Sequence, residues 1–418
     1  MHETYDRDIL QLVEPARVPA AIHPRLGIVG GGQLAKMTAL AGLQLGCDVV
    51  VLERNSHSPA ANLASHSIVG DWNDPADLIQ LAAQVNVVTL ENEFVDAVSL
   101  RAIEAGGHAL FPTANSIALV QDKLVQKQTL AAAGLPVPRF CAVENPEAVV
   151  QVAQEFGLPL LLKARRNAYD GKGNATVRAL DEIDGAWQKL GGHAGHDGHD
   201  GNDGNDGHDG NALFAEAYCP FVKELAVIIT RGRDGATATY PLVETVQRNH
   251  ICHLVRAPAP VATMVAEEAL DLARRAVIAV GAVGSFGVEM FLTASGEILI
   301  NELAPRVHNS GHYTVEACVC SQFENHVRAV FGWPLGSTRM VAPAAVMVNL
   351  LGDRKAVGRP VGIDQALAVP GAHVHIYGKA MSGAGRKMGH VTALGATMDE
   401  ALATAQRAAD HIRFGETT

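Results

Sequence analysis

The sequence predicts a mixed α/β and α+β chain of two or three domains that opens on a parallel, Rossmann-like sheet. Three observations predict it. At 418 residues, 48% hydrophobic and 18% charged, the chain exceeds what one ordinary core organises. A strand, Gly-rich turn, helix and second strand begin at Arg25, and such a βαβ unit requires parallel strands. Beyond residue 216, short strands joined by a tight turn alternate with helical stretches, adding an antiparallel component.

The elements follow in order. Residues 1–22 form a polar, patternless N-terminal extension. Residues 26–29 and 49–52 are short apolar runs, and 34–45 carries helix-spaced apolar residues between them. Residues 86–90 form another strand, ending in a polar cluster, and this first domain (23–118) closes near Pro112. A second unit (119–215) starts with a helix over 122–133, stopped by the LPVP turn. A strand over 160–164 then leads into the Gly-rich NAYDGKGN segment and a further strand over 176–180. Residues 191–211 are low-complexity, with five tandem His/Asn-Asp-Gly tripeptides from His196 to Gly210. Their histidines and aspartates invite a metal-binding reading, but nothing apolar is present to fix ligand geometry, and a solvated loop is favoured. The third unit, 216–418, mixes strands with helices such as 265–280.

Composition excludes several classes. The net charge is −11 with no basic stripe, which argues against nucleic acid as a partner. An anionic small molecule in a locally basic pocket remains open. The longest apolar run, 340–351, is broken by Pro343 and Asn349, so no membrane span is expected. Six cysteines without a CxxC pair make neither a disulfide framework nor a zinc site. A soluble cytoplasmic protein is the expectation.

Four motifs can carry chemistry. Gly30 to Ala35 satisfies G-x-G-x-x-A, and Glu53 ends the next strand at the spacing of a ribose-binding acid. Alone this reads as a dinucleotide fold; its physical content is an anion site at a helix N-terminus. Tyr169 to Gly173 is a Gly-rich turn able to fold backbone N–H groups over phosphates near Lys163, although an ordinary hairpin turn has the same composition. A hairpin turn centred between Ser295 and Gly296 sets Glu289 opposite Glu302, with Cβ atoms ~5 Å apart. Carboxylates so placed repel unless one is protonated or a cation intervenes, and magnesium suits hard oxygen ligands shared with phosphate. Asn301 joins them only if the strand twists or ends there. Beyond lies NELAPRVHNSGH, grouping Arg306, His308 and His312, charges too costly to bury without a ligand or one another. Lastly, Lys379, Arg386 and Lys387 sit in a Gly-rich loop, 377–390, suited to a phosphate.

These strings in this order, from about Leu26 to His390, resemble the ATP-grasp superfamily, and within it the 5-(carboxyamino)imidazole ribonucleotide synthetase family of purine biosynthesis. LGIVGGGQLAKM, QDKLVQKQ, YDGKG, GVEMF and GRKMGH are family-like, and NELAPRVHNSGH is the most diagnostic. The resemblance implies an ATP-grasp fold: the N-terminal α/β domain, a small central lid domain and a C-terminal antiparallel-sheet domain, with ATP between the last two. It implies ATP contacts for Lys123 and Lys163, for the lid loop Ala168, Tyr169, Asp170, Gly171, Lys172, Gly173 and Asn174, for the hinge Glu216, Ala217, Tyr218 and Cys219, and for Glu224, Gln247, Asn301 and Glu302. Glu289 and Glu302 would bind Mg2+; Tyr169, Arg306 and His308 would serve the reacting centre, His308 by orientation or proton transfer near neutral pH. Lys379, Arg386 and Lys387 would hold the ribonucleotide phosphate, with Gln33 and Leu34 on its N-terminal side. The implied partners are ATP, bicarbonate and 5-aminoimidazole ribonucleotide, in a homodimer. Two positions depart from the family: Ala168 replaces a glycine, and Gln247 stands where a histidine is common. Rival readings are a formate-dependent sister ATP-grasp enzyme, an NAD-linked dehydrogenase built on the first glycine turn, and a metal carrier using the His/Asp repeat.

Overall fold

The computed structural model describes residues 23–167, 173–191 and 212–415. The expected roles of Ala168 to Lys172, the extension and the tripeptide repeat fall outside these residues.

The first unit is the expected parallel sheet. β1 (Arg25–Val29), β2 (Asp48–Glu53), β3 (His66–Val69) and β4 (Val87–Leu90) stand in the order β3-β2-β1-β4, all parallel. Both faces are buried, which is why the strands read as continuous apolar runs. Leu26, Ile28, Val49 and Val51 face one core with the helix Gln33–Gln44, while Val29, Val50 and Leu52 face the other with Leu78, Leu81 and Leu100. Asp122 ends the helix Ala114–Gln121 and caps the helix Lys123–Ala132, its carboxylate accepting from the N–H groups of Leu124 and Val125. This cap makes Lys123 the first residue of its helix and puts Lys127 one turn later on the same side.

A small antiparallel sheet follows, ordered β5-β8-β6-β7: β5 (Phe140–Val143), β6 (Leu160–Ala164), β7 (Asn174–Val177) and β8 (Leu213–Ala217). β7 is shifted from the expected 176–180. It stops at Val177 because the Arg178 N–H donates to the Glu182 carboxylate, 2.7 Å away, and Leu180 starts a 3-10 turn with its side chain exposed. β8 runs across residues 215 and 216, so its end belongs to this sheet.

Among the described residues, the remainder is built on a nine-stranded sheet, with two small two-stranded ribbons beside it. Its strands are β9 (Phe221–Arg231), β10 (Thr237–Thr239), β11 (Val243–Arg248), β12 (Ile251–Ala257), β13 (Gly284–Thr293), β14 (Ile298–Ala304) and β15 (Ala344–Leu351), with Lys387–Gly395 and Ala372–Ile376 beyond. The order is β14-β13-β9-β11-β12-β15, then Lys387–Gly395 and Ala372–Ile376, with β10 paired to β9 and every neighbour antiparallel. The helix Thr263–Val280 covers one face through Leu272, Ala276 and Val280, against Val288, Met290, Ile298 and Ile300. His326, buried on the helix Gln322–Phe331, ties this sheet to the first: its Nε2 lies 2.8 Å from Thr89 Oγ1, and its Nδ1 accepts from Ser285 N–H at 3.0 Å. Among the described residues no helix is long and apolar enough to cross a membrane.

Candidate active site

The hairpin β13–β14 brings Glu289 and Glu302 face to face, though not by the turn expected. Leu292 opposes Ile298 and Met290 opposes Ile300, which centres the turn on Ser295. The register then shifts between Met290 and Glu289, so that Glu289 opposes Glu302. Asn301 is the extra residue of a β-bulge, where two residues of one strand face one of the other. Ile298, Ile300 and Leu303 pack in the core under the sheet. Asn301 and Glu302 are therefore left together on the opposite face, with Glu289. The bulge supplies the twist that Asn301 needed to join the pair.

The electrostatics of the pair are unequal. Their side chains keep 32% and 36% exposure, so most of each is screened from solvent. Burial and the facing charge of Glu302 push the Glu289 carboxyl upward. Burial opposes ionisation of Glu302 too, but the Lys123 ammonium, 2.5 Å from its Oε2, overrides this and holds it well below the usual carboxylate range. Two hard-oxygen carboxylates, one resisting ionisation because the other is charged, form a donor set that a divalent cation fits. Among the described residues no third His, Cys, Asp or Glu completes such a group. The rest of a cation's shell would come from ligand oxygens and the neighbouring Asn301.

His308 follows on the same side. Its Nε2 is 3.4 Å from Glu289 Oε1, and its Nδ1 is 2.8 Å from Ser310 Oγ. The ring lies on Gly287, where any Cβ would come within 2.6 Å of His308 Cγ; this is what the glycine of GVEMF is for. Gln322 clamps the His308 backbone from both sides, accepting from its N–H at 2.9 Å and donating to its carbonyl at 2.7 Å. Burial and the Arg306 charge lower the imidazole to about 3. So placed, the ring is held neutral near pH 7. Arg306 is gripped at both nitrogens by Glu93, with Nη2 2.9 Å from Oε1. His312 is not with them; it is fully buried beneath the loop.

On the lid side, Lys163 and Lys127 both meet the buried Glu216 carboxylate at 2.5 Å. Sequence reasoning missed Lys127, although its four-residue spacing from Lys123 was readable. The Lys123 backbone N–H donates to the Arg165 carbonyl at 2.8 Å. The Arg165 guanidinium in turn grips Asp122, 3.0 Å from Nε and 2.5 Å from Nη2. Asn174 is the register partner of Lys163 across β6 and β7. Ala217 ends β8, Tyr218 is half exposed and Cys219 is buried. Glu224, raised by burial, is hydrogen-bonded by Gln247, which follows a register shift in β11.

The first glycine turn is occupied from within. Glu53 takes the N–H of Gly31 at 2.6 Å on one oxygen and that of Arg54 at 2.7 Å on the other. Both its oxygens are committed and it is buried, so it is not placed as the ribose acid of a dinucleotide fold. Glu91 takes the N–H of Gly32, and burial, with Glu53 nearby, raises it to about 7. Glu91 and Glu93 were missed as individuals; the polar cluster ending the 86–90 strand was their signal, since ligands of open α/β sheets gather at strand C-termini. Gln33 and Leu34 open the helix beyond. Two turns of chemistry meet here: Lys36 donates to the carbonyls of Ile376 and Tyr377 at 3.0 and 3.1 Å, while Lys379 lies 5.8 Å from the Tyr377 ring centroid and its charge reaches Glu91. Arg386 donates to the Met381 carbonyl at 3.0 Å. The charge of Lys387 reaches Glu289 and His308.

A small antiparallel lid sheet, a large antiparallel sheet and lysine–carboxylate pairs drawn from both define an ATP-grasp protein. Residues 128–323 match the ATP-grasp domain, 24–121 the ribonucleotide synthetase preATP-grasp domain and 345–404 the phosphoribosylaminoimidazole carboxylase C-terminal domain. The N5-carboxyaminoimidazole ribonucleotide synthase of Synechococcus elongatus is 40% identical over 89% of this chain and 90% of its own. The chain belongs to the N5-carboxyaminoimidazole ribonucleotide synthase family of ATP-grasp ligases. A crystal structure of the Aspergillus clavatus synthase in complex with ADP and 5-aminoimidazole ribonucleotide superposes with a TM-score of 0.81 at 34% identity, covering 93% of this chain and 98% of that one. The chloroplastic phosphoribosylaminoimidazole carboxylase of Vigna aconitifolia is 39% identical over 89% of this chain, which spans 64% of that longer protein.

Proposed function

We propose that this chain joins bicarbonate to the exocyclic amine of 5-aminoimidazole ribonucleotide at the expense of ATP, giving 5-(carboxyamino)imidazole ribonucleotide, ADP and phosphate. The observation that carries this is a single file of groups. The Lys127–Glu216–Lys163 cluster, the Lys123–Glu302–Glu289 pair, the Arg306–His308 loop and the basic loop 377–390 follow one another, each linked to the next by contact or charge. That the Aspergillus relative was crystallised with ADP and 5-aminoimidazole ribonucleotide supports the same pair of ligands.

Lys123 and Lys163 would hold the ATP phosphates, with Ala168 to Asn174 as the loop over them and Glu216 to Cys219 with Glu224 at the nucleoside. Glu289 and Glu302, beside Asn301, would hold Mg2+, which when bound supplies neutralising charge to the transferring phosphoryl group. A bicarbonate oxygen attacks the γ-phosphorus as the bond to the ADP oxygen breaks, giving carboxyphosphate. Cleavage of its C–O bond releases carbon dioxide and phosphate, and the amine nitrogen adds to the carbon with loss of one proton. Arg306, fixed by Glu93, would steady the anionic intermediate, and His308, with Tyr169, would orient it or move its proton. Lys379, Arg386 and Lys387 would grip the ribonucleotide phosphate, with Gln33 and Leu34 across from them. We assign the active form to a cytoplasmic homodimer on the family resemblance, and sedimentation of the full chain tests the dimer.

Labelling tests the route. With 18O-bicarbonate, one labelled oxygen should appear in each phosphate released. Phosphate free of label, with turnover intact, would rule out attack by bicarbonate on phosphorus.

A further inference from the structure

The basic loop 377–390 and the loop carrying Arg306 and His308 share a buried polar joint to which no role has been assigned. Tyr377 and His390 are the two ends of the basic loop, and both are buried. They close its base side chain to side chain, the Tyr377 hydroxyl lying 2.9 Å from His390 Nδ1. Against this clasp lies His312, the residue after the turn Asn309–Gly311. Its ring centroid is 5.0 Å from that of His390 and 6.2 Å, edge-on, from that of Tyr377. His375 stacks on the other side of His390 at 4.4 Å and is itself held by Glu316, 2.6 Å from its Nε2.

The arrangement is poor as mere packing. The Nε2 atoms of His312 and His390 are buried with no hydrogen-bond partner among the described residues. An apolar pair of the same shape would avoid a penalty of about 1–3 kcal/mol for each such atom. Burial holds both imidazoles well below their ordinary range, so they serve as neutral rings. The position of the joint is what distinguishes it. On one side Tyr377 carries the Lys379 ammonium against its ring and presents its carbonyl to Lys36. On the other, His312 is four residues from His308, in a turn pinned to β15 by a reciprocal amide pair, Asn309 to Asn349, at 2.9 and 2.7 Å.

We propose that His390, with Tyr377 and His312, positions the ribonucleotide site by fixing the basic loop against the Arg306–His308 turn. This rests on the functional reading above. None of the three touches the reacting atoms; they act through Lys379 and His308.

The test is steady-state ADP release by the full chain carrying His390→Phe, with 5-aminoimidazole ribonucleotide and ATP varied in turn. Losing one positioning hydrogen bond should raise KM for the ribonucleotide about tenfold and leave KM for ATP within about twofold. His390→Asn, whose short amide can reach the Tyr377 hydroxyl, should recover most of the loss. Should His390→Phe fail to fold, Tyr377→Phe removes one oxygen atom and should show the same selective rise. A folded variant with both KM values unchanged, or with both raised in proportion, overturns the proposal, as does a fall in melting temperature alone. A wild-type chain silent on the ribonucleotide overturns the functional reading and this inference with it, whereas normal wild-type turnover with unaltered variants overturns the inference alone.

Discussion

Glu302 has a lysine on one side and a second glutamate on the other, and the difference between these neighbours sets the two carboxyls apart in charge. Replacing it with glutamine keeps the shape, removes the charge that Lys123 stabilises and leaves Glu289 without its rival. Glu302→Gln should therefore lower ADP release at least about a hundredfold, with a thermal midpoint close to wild type by calorimetry. Another residue-scale prediction concerns His326, which burial lowers to about 4 while the unfolded chain keeps the ordinary value of 6.5. Between those values the unfolded state binds more protons, so stability is complete above pH 6.5 and falls as acid carries the pH down through 4, by about 3 kcal/mol at most. His326→Gln should flatten that part of the stability curve, measured by urea unfolding at pH 7 and pH 5. At this scale the sequence was legible for residues inside one local string, such as Arg306 and His308. It was not for Glu93, which meets Arg306 across 213 positions, a contact that local spacing does not encode.

The hairpin was legible as an element because apolar residues alternate along both strands. Its bulge was legible only in one detail: the core residues Ile298 and Ile300 are two apart, but the next, Leu303, comes three later. Two paired errors, a turn half a residue off and a bulge unseen, cancelled to leave Glu289 opposite Glu302. Deleting Asn301 removes the bulge and restores regular alternation, with Glu302 still opposite Glu289 but without the amide beside them; magnesium affinity should fall while far-ultraviolet circular dichroism still reports the sheet. The helix starting at Lys123 offers a stability test. Asp122 caps it and receives Arg165, so Asp122→Ala should cost about 1–2 kcal/mol in urea unfolding and weaken ATP binding through Lys123 and Lys163. The shifted β7 was not readable, because its end depends on the Arg178 backbone choosing a glutamate over a strand partner.

Across the whole molecule, three sheets converge on one run of charged groups, which explains why so much of the chain is devoted to placing few side chains. The parallel sheet contributes strand ends, the lid sheet contributes Lys163, and the large sheet contributes the carboxylates and both loops. The glycine turn that alone suggested a dinucleotide is filled by Glu53 and Glu91, so the site begins beyond it. Removing residues 193–210 should leave kcat and KM within about twofold, since the helix Ile183–Gly191 and β8 on either side belong to the lid core and the cost of closing a loop changes little with its length. The most direct measurement is ADP release from the full chain with magnesium-ATP, comparing 5-aminoimidazole ribonucleotide plus bicarbonate with glycinamide ribonucleotide plus formate. Turnover that requires the aminoimidazole substrate is the predicted result; turnover with the glycinamide substrate and none with the aminoimidazole would contradict the account.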